Sequence, residues 1–254
     1  MNDRPYVLSE TTWSAVRATE YQVVVLPWGA TEAHNLHLPY GTDSIESERI
    51  AIEAARLAWN VGARAAVLPC VPYGVNTGQL DIPLCVNMNP STQAALLADV
   101  VTSLEGQGIS KLVILNGHGG NDFRQMIREL QPQTPVFLCA INWWQIVPVA
   151  DYFTEPGDHA GELETSVMLH LAPGMVQPLS EAGHGAARRP KIAAFREGWA
   201  WAPRPWTQVT SDTGVGNPAA ATAEKGEKYV AAVAARIADF LVKLAAADTS
   251  AMYE

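Results

Sequence analysis

The sequence predicts an α/β protein, a mostly parallel central sheet with helices on both faces. Two observations carry this. Short apolar runs alternate with longer segments of helical periodicity, the pattern of strand–helix–strand units. The clusters of chemistry-bearing side chains follow directly after the strand-like runs, where open α/β sheets place their sites. With 254 residues, no internal repeat and no low-complexity linker, the chain is expected to form a single domain over 1–254 with a sizeable core.

Each element has a local signal. Residues 9–18 predict a short helix with Ser9 as its cap. Val23–Leu26 is the first strand, ended by Pro27. Residues 44–59 place Ile45, Ile52 and Leu57 or Trp59 at near-helical spacing, with Gly62 as the stop. Ala65–Leu68 is a second strand, closed by Pro69 and Pro72. Residues 73–90 are rich in Gly, Asn and Pro and form a long loop, a frequent home of function. Ser91 opens a helix that ends at Gly106 or Gly108. Lys111–Leu115 is a third strand that runs into Asn116-Gly117-His118-Gly119-Gly120-Asn121, followed by a helix to about Leu130. Val136–Ala140 is a fourth strand, 145–160 a loop, and Glu162–Leu171 a helix framed by Gly161 and Pro173. From 174 to 218 the chain is irregular, with Trp199, Trp201 and Trp206 among prolines. Residues 219–247 form an Ala-rich helix with Val230, Val233, Ile237, Leu241 and Leu244 on one face.

The totals exclude several classes of function. The formal net charge is −9, and Lys and Arg read as scattered rather than striped, which speaks against a nucleic-acid partner. No apolar stretch reaches the roughly 18–20 residues of a membrane helix. The start, MNDRPYVLSETTW, carries no signal-peptide pattern. Cys70, Cys85 and Cys139 are odd in number and two of them lie in or beside apolar strand-like runs, so reduced, buried thiols and a cytoplasmic setting are expected.

The stretch Leu26–Asp43, LPWGATEAHNLHLPYGTD, is the centre of the reading. It delivers Glu32, His34, His37 and Asp43 at the end of the first strand. A carboxylate and an imidazole two residues apart on extended chain face one point, a donor pair suited to zinc, manganese or iron. Asp43 reads two ways, as a helix cap paired with Glu46 or as a carboxylate bridging two metals. His37 is placed in support. His118, within a glycine turn that lacks any phosphate-loop signature, is a further ligand candidate. In Asp158-His159-Ala160-Gly161-Glu162-Leu163-Glu164, one Glu reads as a ligand and His159 as an acid/base; the helix dipole alone also accounts for both acids. Trp143 and Trp144 are either core or a pocket wall.

With these residues in view, the chain resembles the creatininase (creatinine amidohydrolase) family through four segments in order: PWGATEAHNLHLPYGTD, LVILNGHGGN, HAGELETSVML and TGVGNPAAATAEKG. The resemblance implies a three-layer α/β/α fold and a metal-dependent enzyme that hydrolyses non-peptide C–N bonds in cyclic or linear amides. It implies two divalent ions, zinc or manganese, with iron in some branches, and a cytoplasmic homo-oligomer, commonly a hexamer. Carried onto this sequence, it makes Glu32, His34, Asp43 and His118 ligands, with Asp43 shared. In creatininase proper, Tyr and a ligating Glu follow the third-motif histidine; here Gly119 and Gly120 stand there. Glu164 is then the expected substitute ligand, ahead of Glu162. His159 and Glu162 are the expected proton donors, Trp144 the expected substrate contact, and the Gly119 and Gly120 N–H groups expected oxyanion donors. A single-metal deformylase or peptidase of the same family, and a non-catalytic metal-binding protein, are the rival readings.

Overall fold

Four apolar runs pair into one sheet. The computed structural model describes residues 4–253; residues 1–3 and 254, the ends of the expected 1–254 domain, lie outside the described residues. In chain order the elements are α1 (Trp13–Val16), β1 (Val23–Trp28), α2 (Thr42–Asn60), β2 (Ala65–Val67), α3 (Pro90–Gly106), β3 (Lys111–Asn116), α4 (Arg124–Leu130), β4 (Phe137–Asn142), α5 (Glu162–Leu171), α6 (Ala193–Arg196), α7 (Trp206–Val209) and α8 (Ala223–Ala246). The strands lie in the order β2-β1-β3-β4, all parallel. No described helix is long and apolar enough to cross a membrane.

The two central strands are buried at every position, as their unbroken apolar runs require when both sheet faces are covered. Val23, Val25, Val113 and Leu115 pack with α2, α5 and α8 on one face. Val24, Leu26, Leu112 and Ile114 pack with α3 and α4 on the other. The alternation is that of a pleated strand, and the result is three layers, α/β/α.

This topology positions the site. From β1 the chain crosses through α2 to β2, then returns through α3 over β1 to reach β3. The direction of winding therefore reverses between β1 and β3, and a crevice opens beyond their carboxyl ends. Trp28 pairs with Asn116 at those ends, so the segments that follow, 29–43 and 117–121, emerge side by side.

Local chemistry shifts several boundaries. The helix expected over 9–18 is only a single turn at Leu8–Glu10 followed by α1. Thr11 lies extended between them and its hydroxyl donates to Val7 O at 2.7 Å, a side chain competing with helical backbone bonding. The third helix starts at Pro90, with Asn89 before it, rather than at Ser91; Pro is favoured at a first helical position. The last helix begins at Ala223, where the Thr222 hydroxyl accepts from Lys225 N at 3.2 Å, and not at 219.

α5 and α8 pack closely, because Gly226 faces the carbonyl of Ser166 where any Cβ would overlap it. The Ser166 hydroxyl in turn accepts from Thr222 N at 3.1 Å. Gly226→Ala should therefore cost about 1–3 kcal/mol or more through overpacking, seen in thermal unfolding as a fall in Tm of about 2–4 °C per kcal/mol for a chain of this size. Unchanged stability would show that the two helices can separate freely.

Candidate metal centre

Six side chains from three stretches of chain converge beyond β1 and β3. Glu32, His34 and Asp43 come from the segment after β1 and the first turn of α2, His118 from the turn after β3, and His159 and Glu164 from the loop before α5 and its first turn. Three overlapping triads result: Glu32–His34–His159, Glu32–Asp43–His118 and His34–Asp43–Glu164. All are buried except Glu164, which is partly so. His34 Nε2 lies 2.9 Å from Asp43 Oδ1. His118 Nδ1 lies 2.9 Å from Glu32 Oε1 and 3.1 Å from Asp43 Oδ2. His159 Nδ1 is 3.7 Å from Glu32 Oε1.

The histidines are oriented in a common way. His34 Nδ1 donates to Glu32 O at 3.1 Å, His118 Nε2 to Val75 O at 3.0 Å, and His159 Nε2 to Ala33 O at 2.8 Å. A carbonyl can only accept, so each of these nitrogens carries a proton. Each ring then turns its other nitrogen to the shared carboxylates. Anchoring of one ring nitrogen so that the other presents its lone pair is the usual arrangement around a bound metal. Asp43 Oδ2, although near His118, has no aligned hydrogen-bond donor, which leaves a buried anionic oxygen for a cation. Borderline and hard divalent ions suit this set of imidazole and carboxylate donors.

The backbone is shaped to allow the convergence. Asn35 takes φ +54, a left-handed conformation that Asn tolerates better than most side chains. Its side chain spans to Gly183, accepting from that N–H at 2.8 Å and donating to the carbonyl at 2.9 Å. Gly120 lies so close to Val75 O and the His118 ring that a Cβ would overlap both. The His159 loop is pinned by a two-way backbone bridge to Val215, in the TGVGN segment.

A second layer holds the first. Gln79, from the 73–90 loop, donates to Glu32 Oε2 and is itself contacted by Cys85 Sγ at 3.3 Å. Asn121 Oδ1 accepts from Val75 N and Gln93 Nε2 at 3.0 and 2.8 Å. His37 bonds Thr165 through Nε2 at 2.8 Å, beside Glu164, which is a supporting position. Burial lowers its pKa to about 4, so it stays neutral. Glu46, on α2, is fully buried with neither carboxylate oxygen partnered; burial, and then Glu164 and Asp43, raise its pKa. Nothing in the sequence marked Gln79 or Glu46 for these places, because neither belongs to a ligand-spaced motif.

Other expected residues go elsewhere. Glu162 does not join the cluster: its carboxylate accepts from Thr154 N, Thr154 Oγ1 and Glu155 N at 3.0, 3.0 and 2.8 Å, and pairs with Lys225. It fastens the preceding loop and α8 to α5. Trp144 packs edge-on to Trp143 against the α2/α8 layer and does not line the cleft. Gly119 and Gly120 do line it. So do Trp201 and Trp206, which the sequence left in an irregular region; Trp206 meets the His159 ring edge-on at 5.2 Å. The cap reading of Asp43 also fails, since Gly41 precedes the helix with no side-chain cap and Asp43 turns inward.

Electrostatics follow from this burial. Burial opposes charge on His34, but Asp43, Glu164 and Glu32 together outweigh it and lift the imidazole to about 10. Burial likewise opposes charge on His118, and Glu32 with Asp43 raise it well above its usual range. Burial would raise Asp43, yet His34 and His118 hold it low. Without metal, protons on the two rings therefore offset two of the three carboxylate charges. The folded pKa of His34 exceeds its unfolded value near 6.5, so its contribution to metal-free stability is complete below about pH 6.5 and disappears as pH rises through about 10. Metal must displace these protons. Mixing zinc or manganese with metal-free protein in weak buffer at pH 7.5 should release about two protons per chain, and metal affinity should fall as pH falls. Metal uptake without proton release, measured by a pH indicator, would contradict this arrangement.

Comparison with known proteins agrees with the geometry. The family profile described as creatinine amidohydrolase matches residues 9–241. The mycofactocin precursor peptide peptidase of Mycolicibacterium smegmatis is 31% identical over 85% of this chain and 83% of its own length. The creatinine amidohydrolase of Pseudomonas putida is 26% identical over 91% and 94%. A crystal structure from Bacteroides fragilis, provisionally described as a creatinine amidohydrolase, superposes with a TM-score of 0.95 at 47% identity, covering all of both chains. Creatininase structures of zinc and manganese types share the fold, both with TM-scores of 0.76 at 24% and 23% identity and covering 93% of this chain and 96% and 97% of theirs. The chain belongs to the creatininase family.

Proposed function

We propose that this chain is a metal-dependent amidohydrolase that cleaves a C–N bond of an amide substrate. One observation carries the reading: three imidazoles, each anchored on a main-chain carbonyl, aim their free nitrogens at one buried set of carboxylates. Glu32, Asp43 and His118 would hold one divalent ion, and His34, Asp43 and Glu164 a second, with Asp43 common to both. Zinc and manganese are the favoured ions, and iron is compatible with the same donors. Bound divalent ions supply Lewis acidity toward a carbonyl and lower the pKa of a water toward 7.

The chain's own residues do the remainder. His159 keeps its proton on Nε2, bonded to Ala33 O, so Nδ1 faces the cluster with its lone pair. It can take a proton there and return it to the leaving nitrogen. Neither Gly119 nor Gly120 N–H has a backbone acceptor among the described residues, and both glycines line the cleft, where two N–H donors can stabilise a developing oxyanion. Trp206, edge-on to the His159 ring, forms an adjoining wall of the cleft. Glu162 is left to its structural bonds.

The resemblance favours a small-molecule amide, but two observations favour a longer, peptide-like one. The relative at 31% identity is a precursor peptide peptidase, and the cleft, about 930 Å³, extends well past the cluster. The bond type is the same in both cases. We also propose that the protein works as one domain and as a homo-oligomer, to be checked by sedimentation.

The residues separate by readout. Asp43→Asn, His118→Ala and Glu164→Gln should each reduce bound metal, measured by elemental analysis, whereas His159→Ala should keep its metal and lose about 10²–10⁴ in kcat on whichever substrate a panel of amides, ureas, lactams and short peptides identifies. Glu162→Gln should retain metal and activity per folded molecule but unfold at a lower temperature. Full metal content in Asp43→Asn and His118→Ala would sink the proposal.

A further inference from the structure

The stretch 186–206 stands apart from the rest of this acidic chain. It holds Arg188, Arg189, Lys191, Arg196 and Arg204, five of the 17 Lys and Arg residues, against one acid, Glu197. The scattered distribution expected from the sequence is thus corrected at this one segment. Arg188, Arg189, Lys191 and Arg196 have no acidic partner among the described residues. The same segment exposes Ile192, Trp199 and Trp201, the last at 85%. Such side chains out in water point to contact with something else.

The segment forms a groove of about 1460 Å³. That groove is continuous with the metal-centre cleft: Asp158, Trp201, Ala202, Pro203 and Arg204 line both. The two ends have opposite character. The cleft is lined by Glu32, Asp43, Asp122, Glu129 and Glu164, and Arg204 is the one permanent cation among its lining residues. The groove is lined by cations and Asp158 is its one acid.

We propose that the 186–206 arm recognises the substrate, and that the substrate is an extended acidic peptide whose carboxylates lie along the arm while an amide bond reaches the metal centre. This rests on the hydrolase reading above. Complementary charge selects the partner: unpaired guanidinium and ammonium groups favour carboxylates, and the exposed tryptophans supply flat apolar surface for neighbouring side chains. The peptide is favoured over a nucleic acid because phosphates continuing into the cleft would meet its carboxylates. It is favoured over a second copy of the chain because the groove runs into the site, where the occupant's amide must arrive. Arg204 sits at the junction, its guanidinium on Asp158 and 4.6 Å from the centre of the Trp206 ring.

The test uses the full chain and two N-acetylated peptides, one alternating Glu and Tyr, the other with Gln in place of each Glu, with binding measured by calorimetry. The wild type should bind the Glu peptide about tenfold or more tightly than the Gln peptide, and raising salt from 0.1 to 1 M, which shortens the screening length from about 10 to 3 Å, should remove the difference. R189E/K191E should abolish the preference, about a tenfold loss, with metal content and Tm unchanged. His34→Ala, deprived of metal, should still prefer the Glu peptide; the arm is thereby tested apart from the hydrolase reading, which fails separately if metal-loaded protein binds but cleaves nothing in the panel. Equal affinity for the two peptides, tighter binding of a single-stranded oligonucleotide, or an arm variant that changes only the sedimentation of the oligomer would each overturn the proposal.

Discussion

The structure depends on placing three carboxylates and three imidazoles in one buried space. A single unpaired charge there would be untenable, since the cost of desolvating an ion exceeds most of what packing returns. The carboxylates are therefore set against the imidazoles or a bound cation, and each of the three rings is tied by one nitrogen to main chain. The anchoring carbonyls belong to Glu32, Ala33 and Val75. Two of them lie in the segment that also carries ligands, so the backbone path of 32–34 fixes both a donor and the rings around it. This explains why the approach of Gly120 to Val75 and the left-handed turn at Asn35 are needed: small backbone displacements there would turn an imidazole away from the centre.

The surrounding polar layer extends the same logic. Gln79 sets Glu32; Asn121, itself held by Gln93, fixes the Val75 backbone; and Thr165 engages His37. Glu46 marks the limit of what the pocket balances. It lies three residues after Asp43, without a partner for either oxygen, and its neighbours Glu164 and Asp43 oppose its ionisation. Burial and these two neighbours thus oppose a further negative charge beneath the cluster.

Much of this was legible in the sequence, and the failures have identifiable causes. The strands declared themselves because burial on both faces demands unbroken apolar runs, and the ligand-bearing segments followed because they sit at strand ends. Glu162 and Glu164 were harder. Both fall in one helical turn, about 200° apart around the axis, so they must face different ways, but which faces the centre depends on Lys225, about sixty residues distant. Trp144 looked like a pocket wall because it follows β4, yet β4 is the sheet edge away from the β1/β3 crevice, and the aromatic wall comes instead from Trp201 and Trp206. Their segment has no regular periodicity, so no local rule could place it. Asp43 had two satisfactory local explanations, and only the position of His34 and His118 decides between them.

The arm is joined at its C-terminal end, residues 204–207, to two sides of the candidate metal centre, so a proposed recognition element and the proposed site of chemistry are mechanically linked. Trp206 touches the His159 ring, donates from Nε1 to Thr213 O at 3.0 Å, and lies under the Arg204 guanidinium. On the other side the Arg204 carbonyl packs against Gly78, and Thr207 donates to Asp81 at 2.6 Å. Gly78 and Asp81 flank the turn that presents Gln79 to Glu32. A shift of the arm is thus felt at a metal-ligand candidate through Gln79 and at His159, the proposed proton carrier, through Trp206. Chemistry buried among carboxylates would repel an anionic substrate if the entrance were acidic as well. A basic, aromatic approach that is also a brace for Glu32 and His159 resolves that conflict: it draws the anionic part of the substrate to a place outside the centre while holding the centre in register with it.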